Sequence, residues 1–401
     1  MKLVVEGWRS LSHSYSIVNQ WQLLALRRRP EVELRARDVP FFNPAWRPQA
    51  NLFAAEDARI IRQIGTPGPD FAPEATLRVS YPYDLRSSGP GRTFVYGTAE
   101  HRVVPRSFLV PGTSLRDTLA DPRLTILTPS RWSAEGFRRL GFEDARIAVV
   151  AHGIDPTLFR PRPEKRDAMR RELGVSGFVF MSAGAMTGNK GMDILLRAFA
   201  AVAERRDDVR LLLKGADHLY SSQQFLQQTL SSLPRSQASL IVKRLVYGGE
   251  ALSMEQMSVL YQAADAYVSP YRAEGFNLPV LEAAACGLPV ICTQGGATDD
   301  FVTHTFAATI ESRRHPVTID GEAGVALEPD VDHLTELMRR MVEDDGFRRR
   351  AAVEGPRHAA GHFTWDHAID KMMPLLFPGG SHSASGCYAV DAAQRSAAAR
   401  R

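Results

Sequence analysis

Apolar positions in the first 150 residues fall in short runs separated by polar or amphipathic stretches. Runs at 2–5, 32–35, 77–80, 93–96, 124–128 and 147–151 have the length and flanking breaks of buried strands. A helix is predicted over 15–29, because Arg27, Arg28 and Arg29 suit the negative C-terminal end of its dipole and Pro30 stops it. Residues 128–137 read as a strand end, a serine cap and a further helix. The stretch 39–73 is proline-rich and weakly periodic, and its pattern predicts no element.

The pattern restarts near Glu164. Strands are predicted at 178–183, 209–214 and 239–245, with a short buried strand running into a loop at 264–271. Amphipathic helices are predicted over 192–205, 253–262 and 334–342, a late strand and turn over 321–329, and a last helix over 365–376. Strands alternating with helices in this way predict parallel sheets with helices on both faces. From 378 to 401 the chain is rich in Gly, Ser and Ala with almost no large apolar residue, and a disordered tail is expected.

Composition narrows the reading. A chain of 401 residues that is 44% hydrophobic can build two cores, hence two domains. No run of 18 apolar residues occurs, so no membrane-spanning helix is expected, and the first residues lack the features of a signal peptide. Cys286, Cys292 and Cys387 are too few for a disulfide framework and fit reduced thiols in a cytoplasmic protein. The net charge of +4 is unevenly shared: residues 1–155 hold 21 basic and 16 acidic side chains, and the remainder is close to neutral. A basic first half is compatible with an anionic acceptor or with peripheral contact at the inner face of a membrane, and equally with an ordinary solvated surface. Its arginines are scattered without an aromatic–basic platform, which argues against nucleic acid.

The chemistry concentrates in Glu274-Gly-Phe-Asn-Leu-Pro-Val-Leu-Glu282, followed by an Ala-rich run to Ile291. Gly275 permits close approach of the backbone, and Pro279 suits the first turn of a helix. The amides of Gly275, Phe276, Asn277 and Leu278 would then point at one spot with the positive end of a helix dipole behind them, which suits phosphate. Glu274 and Glu282 flank that spot and can accept hydrogen bonds from hydroxyls on either side of it, a sugar on one and a ribose on the other.

This stretch resembles the E-x7-E signature of retaining GT-B glycosyltransferases of family 4, the glycosyl transferases group 1. The resemblance covers nearly all of residues 1–377 and is strongest from about 124 onward. It implies an α/β protein of the GT-B fold, two Rossmann-like parallel-sheet domains facing across a cleft. The corresponding divisions are an acceptor-side domain over 1–155, a nucleotide-sugar-binding domain over 156–363, a helix at 364–377 crossing back to the first domain, and the tail 378–401. His152-Gly-Ile-Asp155 through Phe159-Arg-Pro161 is similar to the family's inter-domain junction.

The resemblance implies roles residue by residue. Lys190, in Lys-Gly-Met-Asp-Ile-Leu-Leu, matches the phosphate-binding lysine, and Glu274 the group that orients the transferred sugar. Glu282 would hold the ribose. Five residues before Lys190, where relatives often carry an arginine, stands Ala185. Lys214, Lys243 or Arg244 could supply the missing charge, with Lys214 the best placed, and base recognition is expected near Arg244–Tyr247. After the 93–96 strand, Glu100 occupies the place of a family histidine and His101 follows it; either is a candidate for the reacting centre. Trp8 and His13 fall in the loop that would face the acceptor. Asp330-Val-Asp332 has the spelling of a metal motif from another fold but reads as a helix cap, and neither a metal site nor a cofactor is expected.

The implied activity is metal-independent, retaining transfer of a sugar from a nucleoside-diphosphate sugar to a hydroxyl of a glycan, a lipid-linked saccharide or a small molecule, as in polysaccharide biosynthesis. A non-catalytic nucleotide-sugar-binding protein and a nucleotide-sugar epimerase are the alternatives.

Overall fold

A computed structural model describes residues 1–379 of the chain. Strands β1 (Lys2–Gly7), β2 (Glu33–Asp38), β3 (Ala75–Val79), β4 (Arg92–Tyr96), β5 (Leu124–Thr128) and β6 (Ile147–Val149) form one sheet. Its order is β2-β1-β3-β4-β5-β6, with every neighbouring pair parallel. Strands β7 (Phe178–Ala183), β8 (Val209–Lys214), β9 (Leu245–Gly248), β10 (Ala266–Ser269), β11 (Val290–Thr293) and β12 (Ala307–Ile310) form a second parallel sheet, ordered β12-β11-β10-β7-β8-β9. An antiparallel hairpin, β13 (Ser312–Ile319) and β14 (Glu322–Pro329), stands apart from both.

Both sheets are covered on two faces, which is why their strands read as near-continuous apolar runs. In the first domain Leu3, Val5, Leu77, Val79 and Phe94 pack against Val18, Leu23 and Leu26 of the Ser14–Arg27 helix. In the second, Phe180, Leu211, Leu213 and Val268 pack against Ile194, Leu195 and Phe199 of the Met192–Ala203 helix.

The Trp365–Leu376 helix starts from a capping box at Thr364 and lies on the first domain. Ile369, Met372, Met373 and Leu376 join that domain's core, and Trp365 lies parallel to Trp21 with 6.5 Å between ring centres. Arg28 pairs with Asp366 at 3.0 Å and Arg29 with Asp370 at 2.9 Å. The chain therefore crosses between domains twice, and a backbone bridge between Ile154 and Thr364 ties the two crossings together.

Several elements differ from the sequence reading. The run 239–245 is not a strand: a helix spans Arg235–Val242 and β9 begins only at Leu245. The stretch 39–73 holds a helix at Ala55–Gln63, and β13 was not anticipated. Asp330 caps the Val331–Glu343 helix by accepting from His333 N at 2.8 Å. Cys286 and Cys292 are buried free thiols. Cys387, and the expected tail from residue 380 on, lie outside the described residues. No helix among the described residues is long and apolar enough to cross a membrane.

Candidate active site

The C-terminal ends of both parallel sheets face one cleft, with a cavity of about 720 Å³ between the domains. Ligand sites in open α/β sheets form at such strand ends, because the connecting loops diverge there and helix N-termini point inward. β10 leads through the loop 270–276 to the Leu278–Ala285 helix. Asn277 is its N-cap residue and takes a left-handed conformation (φ 74°), which asparagine tolerates better than most residues. Its side-chain NH2 donates to Ser269 Oγ at 2.8 Å, tying the turn to the end of β10. Among the described residues, the amides of Gly275, Phe276, Asn277 and Leu278 have no protein acceptor. All four residues line the cavity.

Gly275 has a steric reason that its sequence context does not reveal. A Cβ there would lie 2.6 Å from Thr98 Cβ, across the cleft on the first domain. Ser130 Oγ, also from the first domain, donates to Gly275 O at 2.7 Å. The glycine is thus required by the packing of one domain on the other as much as by any ligand.

Lys190 follows β7 and reaches Glu274, with which it forms an ion pair. Asn189 braces this contact. Its side-chain NH2 donates to Glu100 Oε2 at 2.9 Å and to Ala273 O at 3.1 Å, while its carbonyl accepts from Arg272 N at 2.7 Å. Glu100, Lys190 and Glu274 therefore form one cluster drawn from three loops. Burial pushes both carboxyls above the ordinary range; Lys190 opposes the shift in each. Burial also works against charge on Lys190, but the carboxylates of Glu274 and Glu100 outweigh it and hold the ammonium protonated.

Glu282 is buried one turn into the helix, where Tyr261 donates to its Oε2 at 2.8 Å. Burial pushes its carboxyl up to about 7 despite that bond. Its ionised form is short of partners, so hydroxyl donors arriving from a ligand would favour it.

The first domain contributes mostly rings. Tyr15, Tyr83 and Thr98 share hydrogen bonds, with Tyr15 Oη to Tyr83 Oη at 2.5 Å and Tyr83 donating to Thr98 O at 2.6 Å. His13 caps the Ser14–Arg27 helix through Nδ1 and meets Tyr220 Oη of the second domain at 2.9 Å through Nε2. Burial lowers its pKa to about 4. His101 lines the cavity, and burial lowers its pKa too. Its carbonyl accepts from Val325 N of the hairpin at 2.8 Å.

Most of the residues singled out in the sequence line this cavity: His13, Glu100, His101, Ala185, Lys190, Lys214, Glu274–Leu278 and Glu282. Two do not. Trp8 is buried beneath the cleft, donates to Pro40 O at 2.9 Å and packs edge-on against Trp46. Arg244 precedes β9, at the end of the sheet away from the cleft, and its guanidinium donates to the carbonyls of Ala203 and Arg206. Lys214 does reach the cavity, but its ammonium donates to Gly215 O at 2.5 Å and Glu250 O at 2.6 Å, so its charge is spent on backbone carbonyls. Asn189, Tyr261, Thr98 and Ser130 were missed; only the folded chain brings them to the motif.

Residues 177–344 match the family model described as Glycosyl transferases group 1. The chain is 29% identical over 236 residues to a D-inositol 3-phosphate glycosyltransferase of Corynebacterium urealyticum, a match covering 58% of this chain and 51% of the relative. It is 26% identical over 317 residues to a GDP-mannose-dependent α-(1-6)-phosphatidylinositol monomannoside mannosyltransferase of Mycolicibacterium smegmatis, covering 76% and 75% of the two chains. The chain spans about half the length of the inositol-phosphate relatives it matches. Among solved structures, Anabaena Alr3699/HepE in complex with UDP and glucose superposes with a TM-score of 0.65 at 16% identity, over 94% of this chain and 99% of that one. The chain therefore has the GT-B fold, and its segment 177–344 is similar to the glycosyl transferases group 1.

Proposed function

We propose that this protein transfers a sugar from a nucleoside-diphosphate sugar to an acceptor hydroxyl, with retained anomeric configuration and without a metal ion. The observation that carries the reading is the row of four unpartnered amides at 275–278, at the N-terminus of a buried helix, between Glu282 and the Lys190–Glu274 pair. Such a row with a helix dipole behind it suits a diphosphate. Glu282 would accept two ribose hydroxyls, and Glu274 a hydroxyl of the sugar. Lys190 would exchange part of its contact with Glu274 for the leaving phosphate as charge develops there. In the retaining scheme the anomeric carbon–phosphate oxygen bond breaks while the acceptor oxygen bonds to the same face. The acceptor proton passes to the departing phosphate oxygen, so no separate base is needed. The relatives and the neighbour, named for inositol phosphate, GDP-mannose and UDP, support a nucleotide-sugar donor.

A thermal-shift panel of UDP, GDP, ADP and dTDP and their sugars, with magnesium or with chelator, tests the donor site. Stabilisation by one nucleotide, unaffected by chelator and lost in Glu282→Ala, is expected. NMR of the product anomer then tests stereochemistry, and an inverted product would sink the retaining scheme. Ala185 and the carbonyl-bound Lys214 leave the phosphate site with one cation fewer than the family pattern implied, which favours a sugar-nucleotide-binding protein as the second reading. Binding without turnover or donor hydrolysis would select it.

A further inference from the structure

The acceptor half of the cleft has a composition that its relatives' names do not suggest. Phe42 is 54% exposed at its lip and meets Tyr81 edge-to-face, 5.0 Å between centres at 72°. Tyr81 in turn meets Phe108 at 5.3 Å and 82°. Trp46 lies behind Phe42 and donates to Leu219 O of the second domain at 3.2 Å. Tyr220, 37% exposed, closes the opposite side. Four large apolar side chains are exposed among the described residues, and two of them, Phe42 and Tyr220, stand at this lip. Edge-to-face packing on one side leaves such rings a free face for a ligand.

Cations are missing from the same surface. Among the described residues no arginine lines the cleft, and the two lysines that do are already engaged, Lys190 by Glu274 and Lys214 by two carbonyls. Burial lowers the pKa of all four lining histidines, His13 to about 4 and His152 to about 3, with His101 and His218 shifted in the same direction. Burial thus disfavours the charged imidazolium at each of them. The Glu100 carboxyl adds an acidic group beside the reacting centre. A phosphate placed on this wall would lose water and find no counter-charge.

We propose that the acceptor is uncharged and stacks the apolar face of a ring on Phe42 and Tyr81, so that the cleft discriminates against phosphorylated acceptors. This rests on the transferase reading of the cleft, and it names the acceptor class. Two sources present that chemistry, the pyranose of a neutral glycan and an aromatic aglycone.

Calorimetric titration of the full chain with methyl β-glucoside, phenyl β-glucoside, glucose 6-phosphate, inositol and inositol 3-phosphate tests it directly. Neutral ligands are expected to bind at least about tenfold more tightly than phosphorylated ones, with about a tenfold loss in Phe42→Ala. Phe42→Lys is expected to narrow the preference by supplying the missing cation. Phe42 is exposed, so neither change threatens the fold. A phenyl glucoside much tighter than the methyl glucoside identifies an aromatic aglycone, and equal affinities identify the pyranose. Equal or tighter binding of the phosphorylated ligands, no binding of the neutral ones, or an unchanged Phe42→Ala overturns the proposal. Nucleotide stabilisation measured on the same samples separates the two readings. If nucleotides bind and neutral glycosides do not, only the acceptor class fails; if glycosides bind and nucleotides do not, the transferase reading fails.

Discussion

The C-terminal wall of the cleft presents Lys190, Lys214, Glu274, Glu282 and a row of backbone amides, whereas the N-terminal wall presents Tyr15, Phe42, Trp46, Tyr81, Tyr83 and Phe108. The first wall is built from the ends of three strands, β7, β8 and β10, and each polar group sits a fixed number of residues from a strand end. The second gathers rings from three separate connecting segments and one helix. A charged ligand portion demands fixed donors and acceptors, which a contiguous motif supplies. A ring face demands only apolar area at the right height, which many arrangements supply. The contrast explains why a donor could be inferred early and an acceptor only after folding.

The comparison breaks most sharply at Lys190. Lys190→Ala should cut turnover by about 10²–10³-fold, the scale seen when one preorganised charge-stabilising group is lost. Steady-state kinetics with the donor found by the nucleotide panel check this. A change under threefold would mean that the amides alone carry the leaving group.

Glu282 tests the same wall through stability. Its folded pKa of about 7 lies above the ordinary 4.5, so its contribution is fully present below pH 4.5 and is lost as pH rises through 7. The loss amounts to about 3 kcal/mol. Glu282→Gln removes the ionisation, so the variant should match the parent near pH 4.5 and exceed it by about 3 kcal/mol at pH 8, measured by denaturant unfolding without nucleotide. A constant difference across that range would show that the carboxyl is not forced neutral by burial.

Arg244→Ala should separate scaffold from site. It should lower stability by about 1–2 kcal/mol, through two carbonyls left without their donor, and leave nucleotide affinity unchanged. A tenfold loss of nucleotide affinity would return Arg244 to the donor site. The smallest effect is expected on the opposite wall, where Tyr220→Phe removes one hydrogen bond to His13 between domains. It should cost about 0.5–1 kcal/mol of stability and change acceptor KM by less than about threefold, because the ring face is kept.

Particular elements show what was legible before folding. The 178–183 and 209–214 runs became β7 and β8 because buried parallel strands carry uninterrupted apolar runs. The 239–245 run misled for the same reason. Leu240-Ile-Val is too short to distinguish a strand from the end of a helix, and Pro234 sets that helix's start. Trp8 misled by position: the loop after β1 does border the cavity, but the indole turns inward onto Trp46 and Pro40. Asn277 sits in the turn as the pattern implies, but the bond from its side-chain NH2 to Ser269, which anchors that turn, appears only in the fold.

The sequence by itself determined the alternation of strand and helix, the Gly-Phe-Asn-Leu-Pro turn with its free amides, and the two glutamates around it, because these are set by contacts within a few residues. Only the tertiary structure decided that Thr98 abuts Gly275, that Asn189 joins Glu100 to the Lys190–Glu274 pair, that Lys214 is consumed by carbonyls, and that Phe42, Tyr81 and Phe108 meet at the lip. Each of those contacts joins segments far apart in the chain, and no local pattern records which distant side chain will arrive when two domains close on one another.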